Sequence, residues 1–114
     1  MRRTSYVPDA GDIIWVSFDP QRGHEQRGPR PSLVLSPRAY NARRSLALVC
    51  PVTSHVKGHS FEVPLPADSK IKGAVLCDHL RSIDWRVRRV RFAQAAPDEV
   101  LTEVRERIRP LLGL

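Results

Sequence analysis

Asp12-Ile13-Ile14-Trp15-Val16-Ser17-Phe18, with Ser32-Leu33-Val34-Leu35-Ser36 and Leu46-Ala47-Leu48-Val49-Cys50-Pro51-Val52 after it, is the stretch that decides the fold. Each run is short, apolar or alternating, and bounded by turn-forming residues, which is the pattern of a strand. Phe61 to Leu65, Gly73 to Arg81 and a basic stretch from Val87 to Phe92 continue the series. No helical segment long enough for a crossover separates successive strands. A parallel strand-helix-strand sheet is therefore disfavoured, and a mainly β, compact antiparallel barrel is predicted.

The period changes at Pro97. Val100, Leu101, Val104, Ile108 and Leu111 recur at helical spacing. Pro97 suits a first helical position, Asp98 and Glu99 complement the positive end of the helix dipole, and Arg105, Arg107 and Arg109 suit its other end. Pro110 has no N–H to donate and predicts a kink or an end near Arg109. A second, short helix is read over Pro37 to Ala42.

Of the 114 residues, 41% are apolar, enough for one core, so residues 1–114 are read as a single domain with an N-terminal arm over residues 1–9. There is neither an apolar run of about 18 residues nor a secretory signal, and the expected location is cytoplasmic, with no membrane contact. Cys50 and Cys77 lie in apolar runs, as buried reduced thiols do. The net charge is +7, and of 19 basic residues only Lys57, Lys70 and Lys72 are lysine, leaving 16 arginines. Arginine grips phosphate through a planar fork, so a polyanionic partner and a merely solvated basic surface both remain open on composition.

Asp19 to Pro31 is the longest polar stretch, and it ends in Gly28-Pro29-Arg30-Pro31 at a strand entrance. An arginine between two prolines has less freedom than an ordinary surface arginine. His55 and His59 are separated by a glycine-containing segment without any metal motif, so no metal and no cofactor are expected. Serine-hydrolase and nucleotide-loop motifs are absent as well. What remains is a set of polar residues at strand ends: Glu25 and Arg30, then Thr53, Ser54, His55 and Lys57, then Asp78 and His79. Together they suit an anion-binding cleft.

Gly11 to Pro20, Gly23-His24-Glu25-Gln26, Gly28 and Arg30-Pro31 resemble the opening of the MazF/PemK family of toxin endoribonucleases. The resemblance continues through Val34-Leu35-Ser36-Pro37, Tyr40-Asn41, Val49 to Ser54, Lys57-Gly58, Phe61-Glu62-Val63 and Ser82 to Arg86, in order over nearly the whole chain. It implies an SH3-like barrel of the CcdB/PemK kind with a C-terminal α-helix, a homodimer, and metal-independent cleavage of single-stranded RNA. It also implies an acidic MazE-like antitoxin as partner, whose disordered segment the +7 charge would steer. The family's key arginine falls on Arg30, its key threonine on Thr53, and a loop acidic residue on Glu25.

Attack by a ribose 2′-OH on its own phosphate leaves a 2′,3′-cyclic phosphate and a 5′-OH, and the charge developing on the phosphorane needs donors. Arginine is protonated at neutral pH and makes a poor general base, so Arg30 is read as a clamp on the transition state that can also donate to the leaving 5′-oxygen. Thr53 would hydrogen-bond the phosphate. The base is left open among His24, His55 and His59, since histidine titrates in the useful range, with a solvated loop histidine as the alternative for each. Arg27, Lys57 and Arg86, with His24 and His55, are the expected RNA contacts, and Trp15 and Trp85 are either stacking surfaces or core. A gyrase-poisoning toxin of the CcdB kind is the rival within the fold, disfavoured by the C-terminal Arg109-Pro110-Leu111-Leu112-Gly113-Leu114, which lacks tryptophan. A non-catalytic RNA-binding barrel is the third alternative.

Overall fold

The computed structural model describes residues 6–17 and 29–114. Their strands are β1 (Asp12–Ser17), β2 (Pro29–Val34), β3 (Leu46–Thr53), β4 (Glu62–Pro64), β5 (Ala74–Leu76), β6 (Arg81–Asp84) and β7 (Arg91–Ala95). Two helices, α1 (Arg38–Arg44) and α2 (Asp98–Leu111), complete the regular structure with a 3-10 turn at Cys77–His79. Every pairing is antiparallel, along the path β4-β5-β3-β2-β1-β7 with β6 also on β3. That path is open at β4 and β7 among the described residues.

The central strands are buried on both faces, which is why they read as near-continuous apolar runs. Ile13, Leu33, Cys50, Val52, Val75 and Cys77 pack with Val100, Val104 and Ile108 of α2 in one core. Their neighbours Ile14, Val16, Val34, Val49 and Ile83 turn the other way, into a second core around Trp85. Adjacent residues thus serve opposite faces, as the two-residue period of a strand requires.

Several boundaries differ from the sequence expectation. The run from Gly73 to Arg81 is not one strand: β5 pairs with the end of β3 and β6 with its beginning, so the chain turns at Cys77–His79 between them. The basic stretch after β6 is a turn, with the Asp84 carboxylate accepting the Val87 N–H at 3.2 Å and Arg89 at φ 53°, and β7 starts only at Arg91. Pro97 caps α2 instead of opening it, and the helix passes Pro110 to end at Leu111. A proline this close to the end removes one hydrogen bond where the helix is already finishing, and Leu112 N–H closes it on the Ile108 and Arg109 carbonyls. Leu111, read as part of the apolar face, is exposed.

Asn41 joins α1, the segment before β1 and β3. Its amide donates to the Pro8 and Ser36 carbonyls at 2.9 Å each and accepts from Ser36 Oγ at 2.6 Å, while Ser36 Oγ accepts the Leu48 N–H. All of this is buried, so Asn41→Ala strands polar groups away from water and is expected to cost about 3 kcal/mol. A urea titration should show a lower midpoint at an unchanged slope.

Cys50 and Cys77 are free and buried. Burial first, then the neighbouring Cys77 thiol, pushes Cys50 up from 9.0 to about 12, and burial pushes Cys77 up to about 11. The unfolded chain therefore ionises its thiols at lower pH than the folded one. The contribution of these groups to stability is intact below pH 9.0 and lost as pH rises toward the folded values. Unfolding measured from pH 8 to 11 should show that decline, and a thiol reagent at pH 8 should label the native protein far more slowly than the unfolded one.

Candidate active site

β3 loses β2 as a neighbour near its end. Its ladder to β2 starts at Pro51 opposite Ser32, whereas Val52 and Thr53 pair with Val75 and Ala74 of β5. Beyond that point β2 and β3 part, and the gap is a cavity of about 220 Å³. Pro29, Arg30, Pro31, Val52, Thr53, Ser54, His55 and Lys72 line it.

The sequence explains the gap. Pro29 and Pro31 lack N–H groups, and they occupy the end of β2 that among the described residues pairs with β1 alone, where a residue that cannot donate to a second ladder is tolerated. Arg30 lies between them on the strand, exposed and lining the cavity, with its backbone confined by the two prolines. The expectation that β2 begins at Ser32 is corrected accordingly: Arg30 belongs to the sheet.

Thr53 is fixed from two directions. Its hydroxyl oxygen accepts the His55 N–H at 3.0 Å, and the hydroxyl proton is still available to donate. Behind it, Gly73 at φ 127° comes so close that a Cβ there would sit 2.0 Å from the Thr53 carbonyl oxygen. The loop after Thr53 is held by the buried Glu62 carboxylate, which accepts N–H groups from Lys57 (2.9 Å) and Gly58 (2.6 Å) and lies 3.5 Å from His59 Nε2.

The cavity thus gathers Arg30, Thr53 and His55 from the sequence expectation. Lys57 and Arg86 are exposed but do not line it, and the Arg86 guanidinium stacks on the Trp85 ring at 4.3 Å from its centroid. Trp85 is core, its indole N–H donating to the Asn41 carbonyl, and Trp15 packs partly buried against the other core. His24, Glu25 and Arg27 lie outside the described residues. Lys72 was not singled out from the sequence, although a lysine directly before a glycine at a strand entrance was the available signal. Among the described residues no group of three or more His, Cys, Asp or Glu side chains is placed to hold a metal ion. None of the described helices is long and apolar enough to cross a membrane.

An arginine fork, a threonine hydroxyl and a lysine around one small opening can donate to an oxyanion from several sides. The fold is an antiparallel sheet with a small cavity lined by Arg30, Thr53 and Lys72. The chain belongs to the PemK-like, MazF-like toxin family of type II toxin–antitoxin systems, whose model matches residues 9–112. It is 43% identical over 108 residues to the endoribonuclease toxin MazF of Escherichia coli K12, covering 95% of this chain and 96% of that one. Its identity to the Escherichia coli endoribonuclease PemK is 36% over 116 residues, 98% and 86% of the two chains. The solved MazE-MazF structure from Deinococcus radiodurans superposes with a TM-score of 0.91 at 55% identity, over 96% of this chain and 99% of that one.

Proposed function

We propose that this chain is a sequence-specific, metal-independent endoribonuclease toxin that cuts single-stranded RNA, messenger RNA above all, to 2′,3′-cyclic phosphate and 5′-OH ends and so arrests translation and growth. The observation that carries the reading is the meeting of Arg30 and Thr53 at the opening between β2 and β3. Arg30 clamps the phosphorane and can protonate the leaving 5′-oxygen, Thr53 donates its hydroxyl proton to a phosphate oxygen, and Glu25 is the third catalytic residue. Arg27, Lys57, Arg86, His24 and His55 contact the RNA around them. A splayed single strand is required, because a duplex hides base edges and prevents in-line attack. In this reading the two-cored sheet is the SH3-like barrel of the CcdB/PemK kind, one domain over the whole chain. The protein works in the cytoplasm as a homodimer, and its antitoxin is MazE-like, with an acidic segment that covers the cleft.

The test is incubation with a long single-stranded RNA in EDTA, followed by mapping of the new ends. Discrete cuts bearing 5′-OH termini, lost in Arg30→Ala and Thr53→Ala, are expected. Intact RNA, or cuts that survive both substitutions, overturns the reading.

A further inference from the structure

Lys72 lines the cleft together with Arg30 and Thr53. β2 flanks β3 on one side and β5 on the other, and Lys72 stands two residues before the start of β5. Thr53, at the end of β3, therefore shares one cavity with a cation from β2 and a cation from the segment that leads into β5. We infer that Lys72 is a second phosphate-binding residue of the cleft, gripping the RNA backbone while Arg30 and Thr53 act on the scissile phosphate; this rests on the RNA-cleaving reading above.

The segment carrying Lys72 is held in place. The Gln94 side-chain oxygen of β7 accepts the Ile71 N–H at 2.8 Å and the Ser69 hydroxyl at 3.2 Å. Ile71 is buried in the core, and the Gly73 carbonyl accepts the Leu65 N–H at 2.9 Å. Lys72 Nζ donates to the Ala67 carbonyl at 2.7 Å, one bond of the three that an ammonium group can donate. Two donors remain for an anion. A charge on a fixed segment loses less freedom on binding than one on a loose loop, which is what a backbone contact needs. Lysine also suits this role, since it contacts phosphate as a point charge and does not impose the geometry of an arginine fork.

Lys72→Gln keeps an N–H able to reach Ala67 and removes the charge. Its binding is measured with a fluorescently labelled single-stranded RNA oligonucleotide that spans a mapped cut and carries a 2′-deoxy substitution there. The slope of log K against log salt should become less steep by about 0.7, the share of one phosphate contact on a single strand. In cleavage assays KM should rise about fivefold to tenfold with kcat kept within about twofold, and Lys72→Arg should restore both. An unchanged slope and KM, or a fall in kcat alone, overturns the inference. Arg30→Ala and Thr53→Ala run beside it: if both still cut, the reading of the cleft has failed, whereas loss of cutting in both with an unaltered Lys72→Gln removes Lys72 alone.

Discussion

Arg30→Ala is expected to slow RNA cleavage by about a thousandfold, the upper range for removing one donor from a site that stabilises developing charge. Arg30 is exposed at the end of β2 and belongs to neither core, so the substitution leaves the packing of both cores intact. Arg30→Lys separates charge from geometry. A lysine there keeps the positive charge but loses the planar fork that matches two phosphate oxygens at once, and it should recover only part of the rate. Thr53→Ala should cost about a hundredfold, and Thr53→Ser, which keeps the hydroxyl, far less. The double variant should be barely slower than Arg30→Ala, since donors that hold one phosphorane act as a unit. Single-turnover cleavage of an RNA with a mapped cut measures all five. A Arg30→Ala variant that loses affinity while retaining kcat would make Arg30 a binding group only.

The strands and their antiparallel order are legible in the sequence because Ile13 to Val16, Leu33 to Leu35 and Leu46 to Val52 carry the apolar residues of two cores. Arg30 and Thr53 were reachable as strand-end residues and were assigned through the family resemblance. Why they meet was not legible. It depends on β2 leaving β3 after Pro51 while β5 pairs with Val52 and Thr53 on the other side, a choice of partners made between segments far apart in the chain, which no local pattern encodes. The break of the Gly73 to Arg81 run into β5, a 3-10 turn and β6 has the same origin, and so does the arrival of Lys72 beside Thr53. The seating of the Arg86 guanidinium on the Trp85 ring was not legible either. Burial of an aromatic ring under a neighbouring cation is decided by packing and not by composition.

Gly73→Ala is the second large effect expected, and it reaches the active site without touching substrate. A Cβ at residue 73 would stand 2.0 Å from the Thr53 carbonyl oxygen and 2.9 Å from its carbonyl carbon, so β3 and β5 must move apart where Thr53 is held. Both atoms are backbone, and no rotamer change can relieve the contact. Displacing a reacting group by about 1 Å costs on the order of a hundredfold in rate. The clash and the left-handed φ of 127° together should destabilise the fold by about 3 kcal/mol. Gly58 supplies the control. It also has a positive φ, 83°, but a Cβ there meets nothing within 4 Å, so Gly58→Ala should show only the backbone penalty of about 1 kcal/mol. Cleavage rates and urea midpoints of the two variants separate strain from displacement: a Gly73→Ala protein that remains folded, binds RNA and has lost most of its kcat is the expected result. Equal activity in both variants would mean that the β3–β5 contact does not set the position of Thr53.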